Sequence, residues 1–370
     1  MKIVQVNEVY LKGDGISNTM AMTQIANQHL NYKNDVAVGL FSERPNAFEL
    51  AIKDFRNVNP LMALKGFLGV EGKAYYLNLY WNAMRHYVRG QARRNMEEAD
   101  MRIWHYGSKY PLFSYINNKD IVYFHNITYP YFSENPKPLI ESRTHLAAFR
   151  DMDLRFMTQS NFNRETLVRM GFREEQIHRT YPYSNGDFLY WPRGDAKRKL
   201  GLVTYGRYAR HKGLVELSKF CYEAGIHLMI FGDNYTAKEY RKEYLGASQY
   251  LGEYINVNGK IEDMDEALFR SDVYVSNSYH EGASLTAMEA MAHSLPILAR
   301  RGTAVDELID EGKNGFLFDN LDEIPALLDK IGDNYSRMSE AAYRKSRKYS
   351  RDNYIRTYAI VLKEIRGKGR

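Results

Sequence analysis

The run Asp272-Val-Tyr-Val-Ser-Asn-Ser278 constrains the fold more than any other stretch, because a polar turn and a helical pattern follow it without a break. Its β-branched and aromatic residues predict a strand. After the turn Tyr279-His280-Glu281-Gly282-Ala283, the residues Leu285, Met288, Ala292 and Leu295 recur at helical spacing, with Ser284 at the N-cap position. A strand, a tight turn and a helix N-terminus leave several backbone N–H groups unpaired and aimed one way, a geometry that suits a phosphate.

The same alternation runs along the chain. Apolar strand-like runs are expected at Lys2–Val6, Asp35–Phe41, Met101–Tyr106, Ile121–Asn126, Leu154–Gln159, Leu200–Gly206, Ile226–Phe231, Tyr254–Val257, Pro296–Ala299 and Gly315–Phe318. Helical stretches lie between them, at about Ser17–Leu30, Pro138–Arg150 and Arg164–Met170, and a last one spans Tyr354–Ile365. Strands alternating with helices predict parallel-sheet α/β domains. A chain of 370 residues has room for two or three domains. The Pro, Asn and Gly content of Tyr181–Asp187 places a linker there.

Composition removes several classes of function. No run approaches the ~20 apolar residues of a membrane span, and the N-terminal MKIVQVNEVY enters a strand directly, without a signal-peptide pattern. The single cysteine, Cys221, reads as a buried helix residue. It permits neither an internal disulfide nor a cysteine metal cage, so a reducing cytosol is expected. The 51 Lys+Arg against 45 Asp+Glu give +6, compatible with anionic partners but with no stripe that would select nucleic acid. The 30 Tyr suit carbohydrate stacking and membrane interfaces alike. The loop after the first strand, with Gly13-Asp14-Gly15, does not match Gly-x-Gly-x-x-Gly, which disfavours a nicotinamide site. There is no Gly-x-Ser-x-Gly elbow and no His-x-x-x-His pair. Two Asp-x-Asp triplets, Asp151–Asp153 and Asp263–Asp265, sit before a strand and at the opening of a helix, where acidic residues serve structure, so no essential metal is predicted.

Four side-chain features point to chemistry. Glu281 and Glu289 flank the turn and helix start with the spacing Glu-x7-Glu. Arg207 and Lys212 stand five apart on the loop after the strand Leu200–Gly206, where a guanidinium fork and a compact ammonium can converge on one diphosphate. His125 closes the strand Ile121–Asn126, the end of a parallel strand that meets a ligand cleft. Residues 57–95 place apolar and aromatic residues beside Arg85, Arg89, Arg93 and Arg94, a segment able either to lie on an anionic membrane surface or to pack as a helical hairpin with a solvated basic face.

The motifs Gly206-Arg207-x4-Lys212-Gly213 and Glu281-x7-Glu289 resemble those of retaining glycosyltransferases of family 4. The resemblance implies a GT-B fold, α/β with two Rossmann-like domains facing across a donor/acceptor cleft. It sets an acceptor-binding domain at 1–182, a nucleotide-sugar-binding domain at 183–349, and a helix at about 350–370 returning to the first domain. It also implies roles. Glu281 lies against the donor sugar, with His125 beside it, and Glu289 takes the ribose hydroxyls. The amides of Gly282, Ala283, Ser284, Leu285 and Thr286 hold the phosphates, and Arg207 and Lys212 hold the leaving diphosphate. Gly15, Gly232, Lys260 and Ile261 fall at further donor-binding positions. Where the family turn reads Glu-Gly-Phe-Gly-Leu-Pro, this chain has Glu281-Gly-Ala-Ser-Leu-Thr286, which keeps the amides and adds the Ser284 side chain near the phosphates.

The implied activity is metal-independent, retaining transfer of a sugar from a UDP- or GDP-sugar, with no further cofactor. The implied acceptor is a saccharide or lipid-linked molecule of cell-envelope polysaccharide or glycolipid synthesis, handled by a cytoplasmic protein peripheral to the inner membrane face. Two other readings stay open: a GT-B glucosyltransferase acting on DNA bases, and a non-catalytic nucleotide-sugar-binding protein.

Overall fold

The structure is a computed structural model that describes residues 1–10, 15–41, 96–106, 120–125, 150, 152–184, 190, 199–233, 238–258 and 264–367. It contains two six-stranded parallel sheets. The first comprises β1 (Lys2–Tyr10), β2 (Lys33–Phe41), β3 (Met101–Tyr106), β4 (Asp120–Phe124), β5 (Arg155–Thr158) and β6 (Ile177–Arg179), in the order β2-β1-β3-β4-β5-β6. The second comprises β7 (Leu202–Arg207), β8 (Leu228–Asp233), β9 (Ile255–Asn258), β10 (Val273–Ser276), β11 (Ile297–Arg300) and β12 (Gly315–Phe318), in the order β12-β11-β10-β7-β8-β9.

The described helices are α1 (Gly15–His29), α2 (Asn161–Arg169), α3 (Leu214–Ala224), α4 (Lys238–Ser248), α5 (Met264–Phe269), α6 (Leu285–Ala292), α7 (Ile324–Gly332), α8 (Tyr335–Ser346) and α9 (Arg351–Gly367).

The second sheet is covered on both faces, which is why its strands read as continuous apolar runs rather than alternating ones. Leu202, Val273 and Val275 pack with Leu217 and Cys221 of α3 and Ile331 of α7. Their neighbours Val203 and Tyr274 point the other way and pack with Met288 and Met291 of α6. Burial pushes the Cys221 thiol up to about 12, so it is an apolar filler rather than a nucleophile.

The last helix belongs to the first sheet. Tyr354, Ile355, Tyr358, Val361 and Leu362 form one helical stripe that joins the core of Ile3, Met22, Ile103 and Tyr123. Two hydroxyls fix it to α1: Tyr354 pairs with Thr23 at 2.9 Å, and Tyr358 donates to Asn27 at 3.0 Å.

The structure departs from the sequence reading in places. β1 runs on to Tyr10, and Gly15 is the first residue of α1 rather than part of a loop. α2 starts at Asn161, three residues early, because the Ser160 hydroxyl accepts the Asn163 N–H at 3.1 Å as its N-cap. β6 went unread because Ile-His-Arg is too short to show a period. Among the described residues, no helix is long and apolar enough to cross a membrane.

Candidate functional site at the carboxyl edges of the sheets

Within the second sheet β7 lies between β10 and β8, so the loops after β7 and β10 diverge and open a crevice at the carboxyl edge. β7 ends on Arg207, and a 3-10 turn, Arg210–Lys212, leads into α3. The loop after β10 is tied to this turn, since the Tyr279 amide donates to the His211 carbonyl at 2.8 Å. Arg207 and Lys212 line one shallow pocket, walled by Thr204, Tyr205 and Tyr274. Lys212 Nζ donates to Glu281 Oε1, and an ammonium bonded this way keeps two further N–H donors.

The turn then enters α6 as the sequence predicts. The Ser284 hydroxyl accepts from the Ala287 amide at 3.3 Å, and two tyrosines of the sheet fix the first helical turn. Tyr274 Oη lies 2.7 Å from Thr286 Oγ1, and the Tyr205 hydroxyl donates to the Thr286 carbonyl at 2.6 Å. Tyr205 also reaches Glu289 Oε2, at 3.3 Å. One hydroxyl proton serves both acceptors, so the longer bond is weak. Burial with this thin hydrogen bonding raises the Glu289 carboxyl to about 7.

The first sheet meets this turn at its own carboxyl edge. A Cβ added to Gly282 would stand 2.1 Å from the His125 carbonyl oxygen, so only glycine permits this approach. The Gly282 carbonyl accepts from Ser160 Oγ at 2.7 Å and Asn163 Nδ2 at 3.1 Å, and the same amide reaches the His125 carbonyl at 3.4 Å. The His125 ring stacks on Tyr123, and its Nε2 lies 2.9 Å from His105 Nδ1. Burial lowers its pKa to about 3, so His125 is neutral at physiological pH.

A second bridge lies beside the first. Glu307, on the 3-10 turn Ala304–Leu308, accepts from the amides of Asn161 at 3.0 Å and Phe162 at 2.5 Å, the exposed N–H groups at the start of α2. The Tyr181 hydroxyl donates to the same carboxylate, and burial followed by this carboxylate raises the phenol's pKa. The Ala304 amide, one end of that turn, donates to the Glu281 carbonyl at 3.2 Å.

Arg207, Lys212, Glu281, Glu289, His125 and the segment Gly282–Thr286 are thus gathered at one edge-to-edge junction. Gly232 pairs in register with Gly206, next to Arg207 at the same carboxyl edge, and lies beneath Tyr208, whose ring a Cβ would meet at 1.8 Å. Gly15 opens α1. Lys260, Ile261 and the segment 57–95 fall outside the described residues. Of the acidic triplets, Asp153 accepts from Arg155 and Asp265 bonds His293 at 2.7 Å, whereas Asp151 and Asp263 fall outside the described residues. Ser160, Asn163, Glu307, Tyr181, His105 and Gln5 were not singled out from the sequence. Ser160 carries a visible capping signal, but nothing in its neighbourhood encodes a bond to residue 282.

Residues 200–336 match the family Glycosyl transferases group 1. The match takes in the second sheet and most of the helices that cover it. Over 123 residues the chain is 30% identical to the alpha-monoglucosyldiacylglycerol synthase of Acholeplasma laidlawii, covering 32% of this chain and 31% of that protein. The sequence likeness therefore spans about a third of that relative's length. In solved structures the likeness extends over the whole chain. The sucrose-phosphate synthase of Thermosynechococcus elongatus superposes with a TM-score of 0.74 at 15% identity, covering 100% of both chains. Anabaena HepE in complex with UDP gives 0.68 at 16% identity, covering 98% of this chain and 100% of that one. The matched region and the sheet before it together form a GT-B fold.

Proposed function

We propose that the protein is a retaining glycosyltransferase, moving a sugar from a nucleotide-sugar donor to a saccharide or lipid-linked acceptor. The observation that carries this reading is the pocket shared by Arg207 and Lys212, beside the capped N-terminus of α6 and the Glu281–Glu289 pair. Arg207, Lys212 and the Ser284–Thr286 amides take the diphosphate, and Glu289 accepts from the ribose hydroxyls. Glu281, oriented by Lys212, and His125 lie against the sugar. The acceptor hydroxyl oxygen bonds to the anomeric carbon while the bond from that carbon to the diphosphate breaks. A phosphate oxygen takes the proton, on the face the leaving group vacates. Cations and amides already in place stabilise the departing charge without reorganisation.

The UDP in the Anabaena structure supports a nucleotide donor, and the lipid product in the Acholeplasma relative's name supports a lipid-linked acceptor. Assignment to cell-envelope synthesis, at the inner face of the membrane, goes with that acceptor.

The test is a thermal-shift panel of UDP-, GDP- and ADP-sugars, each with and without EDTA. Stabilisation by one base, unchanged by EDTA, is the expected result; stabilisation by none overturns the reading. In turnover assays, Arg207→Ala and Lys212→Ala should each lower kcat by roughly 10²-fold, the scale of losing one preorganised donor. Turnover near wild type in both variants removes the diphosphate assignment.

A further inference from the structure

His125 is 6% exposed and His105 is 5% exposed. Their rings stack with centroids 5.1 Å apart, and His125 Nε2 faces His105 Nδ1 at 2.9 Å. Burial keeps both rings neutral. A neutral imidazole carries one N–H and one lone pair, so the proton between the two rings belongs to only one of them.

The next bonds decide which. His105 Nε2 faces Gln5 Oε1 at 2.9 Å, and a carbonyl oxygen only accepts, so His105 Nε2 carries the proton. Gln5 is held this way round by its own amide, which donates to Asn34 Oδ1 at 3.3 Å. That oxygen also accepts from Asn27 Nδ2 at 2.7 Å, and Asn27 in turn accepts from the Tyr358 hydroxyl of α9. With its proton on Nε2, His105 presents a lone pair at Nδ1, and His125 must donate from Nε2.

We propose that Gln5 and His105 are positioning residues that lock His125 in the Nε2–H form, leaving its Nδ1 as a bare hydrogen-bond acceptor for a hydroxyl of the bound sugar or acceptor. Nδ1 of His125 is buried and has no hydrogen-bond partner among the described residues. An unpaired buried acceptor is costly, so a ligand that supplies a donor there is favoured. A ligand offering a carboxylate at the same point would face a lone pair instead, so the relay selects neutral, hydroxyl-bearing groups. The ligand half of this proposal rests on the nucleotide-sugar reading above, whereas the tautomer half does not.

The experiment is long-range proton–nitrogen NMR of the histidine rings in the full-length protein, with His125 assigned by its loss in His125→Gln. In the ligand-free protein, His125 should show an unprotonated Nδ1 and a protonated Nε2. A protonated Nδ1 means the chain of amides runs the other way and overturns the proposal.

UDP-glucose and GDP-mannose are then added in turn. With the donor that raises the melting temperature, the Nδ1 signal should move in the direction of an accepted hydrogen bond. An unmoved signal at saturation overturns the ligand role. If neither compound nor any other nucleotide sugar of the panel changes the melting temperature or the spectrum, the nucleotide-sugar reading and the ligand role fall together, while the tautomer result still judges the relay.

Gln5→Leu and His105→Phe should give mixed His125 tautomers. In both, kcat should fall by roughly five- to tenfold, the scale of one hydrogen bond, with nucleotide affinity retained. A single wild-type tautomer in either folded variant overturns the positioning role, and the wild-type spectrum decides the relay should a variant fail to fold.

Discussion

At Glu289 a single proton separates two states that the proposed ribose contact would tell apart. Its carboxyl titrates at about 7 because burial outweighs the weak bond from Tyr205. Ribose hydroxyls donate best to the ionised form, so affinity for a nucleotide sugar should rise as pH increases through that value. The intact nucleotide sugar is the right probe: its diphosphate is esterified at both ends, whereas a terminal phosphate titrates near pH ~6 and would confuse the reading. Calorimetric titrations on either side of neutrality should show the step in wild type and lose it in Glu289→Gln; an equal step in both would assign the titration to another group.

Stability moves the opposite way. Folded Glu289 holds its proton up to about 7, against an ordinary value of 4.5. Between those values the folded state binds more protons than the unfolded one, so this group's contribution falls as pH rises and is constant above the window. Glu289→Gln should flatten that part of the stability–pH curve, as read from denaturant melts.

Gly282 is the steric counterpart at this scale. Gly282→Ala places a methyl 2.1 Å from the His125 carbonyl, so the two backbones must part. Activity should fall at least tenfold while the far-UV circular-dichroism spectrum stays that of wild type, a loss on the scale of a ~1 Å misplacement. Normal turnover in that variant would show that this approach is not needed.

Among the elements, α2 reaches from the first sheet to the second. Its N-terminal amides are capped twice, by Ser160 from within the first domain and by Glu307 from the second. Glu307→Ala leaves two amides and the Tyr181 hydroxyl without their acceptor. Such a loss costs about 1–3 kcal/mol, measurable as a lower denaturant midpoint with nucleotide binding preserved. A midpoint equal to wild type would mean that water replaces the carboxylate without loss.

The same element shows where sequence reading stops. The helix α6, its Ser284 cap and the Arg207–Lys212 loop were legible, because each is written in residues a few positions apart. The bonds from Ser160 and Asn163 to Gly282 join positions more than 100 apart and leave no local period. Gln5 and His105 looked like ordinary strand residues for the same reason: a buried polar chain is specified by register between strands, here Gln5↔Ile103 and His105↔Tyr123, and not by spacing along one. The strand end marked His125 and the family resemblance gave it a role, but neither gave a hint of the ring behind it.

For the molecule as a whole, the connection that matters is α9, whose chain position follows the second domain but whose buried stripe completes the first. The core of Ile3, Ile103 and Tyr123 is closed by Tyr354, Tyr358 and Leu362, so the first sheet is finished only after the last helix has been made. This arrangement ties the two halves covalently on one side and through Glu307, Ser160 and Asn163 on the other, with the Arg207–Lys212 pocket beside the latter junction. Tyr358→Ala tests it. Removing a buried aromatic ring costs about 3–5 kcal/mol, and here it also removes the donor to Asn27. The loss should be local: β1, β3 and β4 should lose amide protection in hydrogen exchange, while β7 and β10 retain theirs and any nucleotide-induced thermal shift persists. If protection fell equally in both sheets, the domains would be unfolding as one cooperative unit, and the junction at Gly282 would have to be a stability element as much as a ligand site. If neither sheet lost protection, α9 would be an accessory cover and the first core would stand without it.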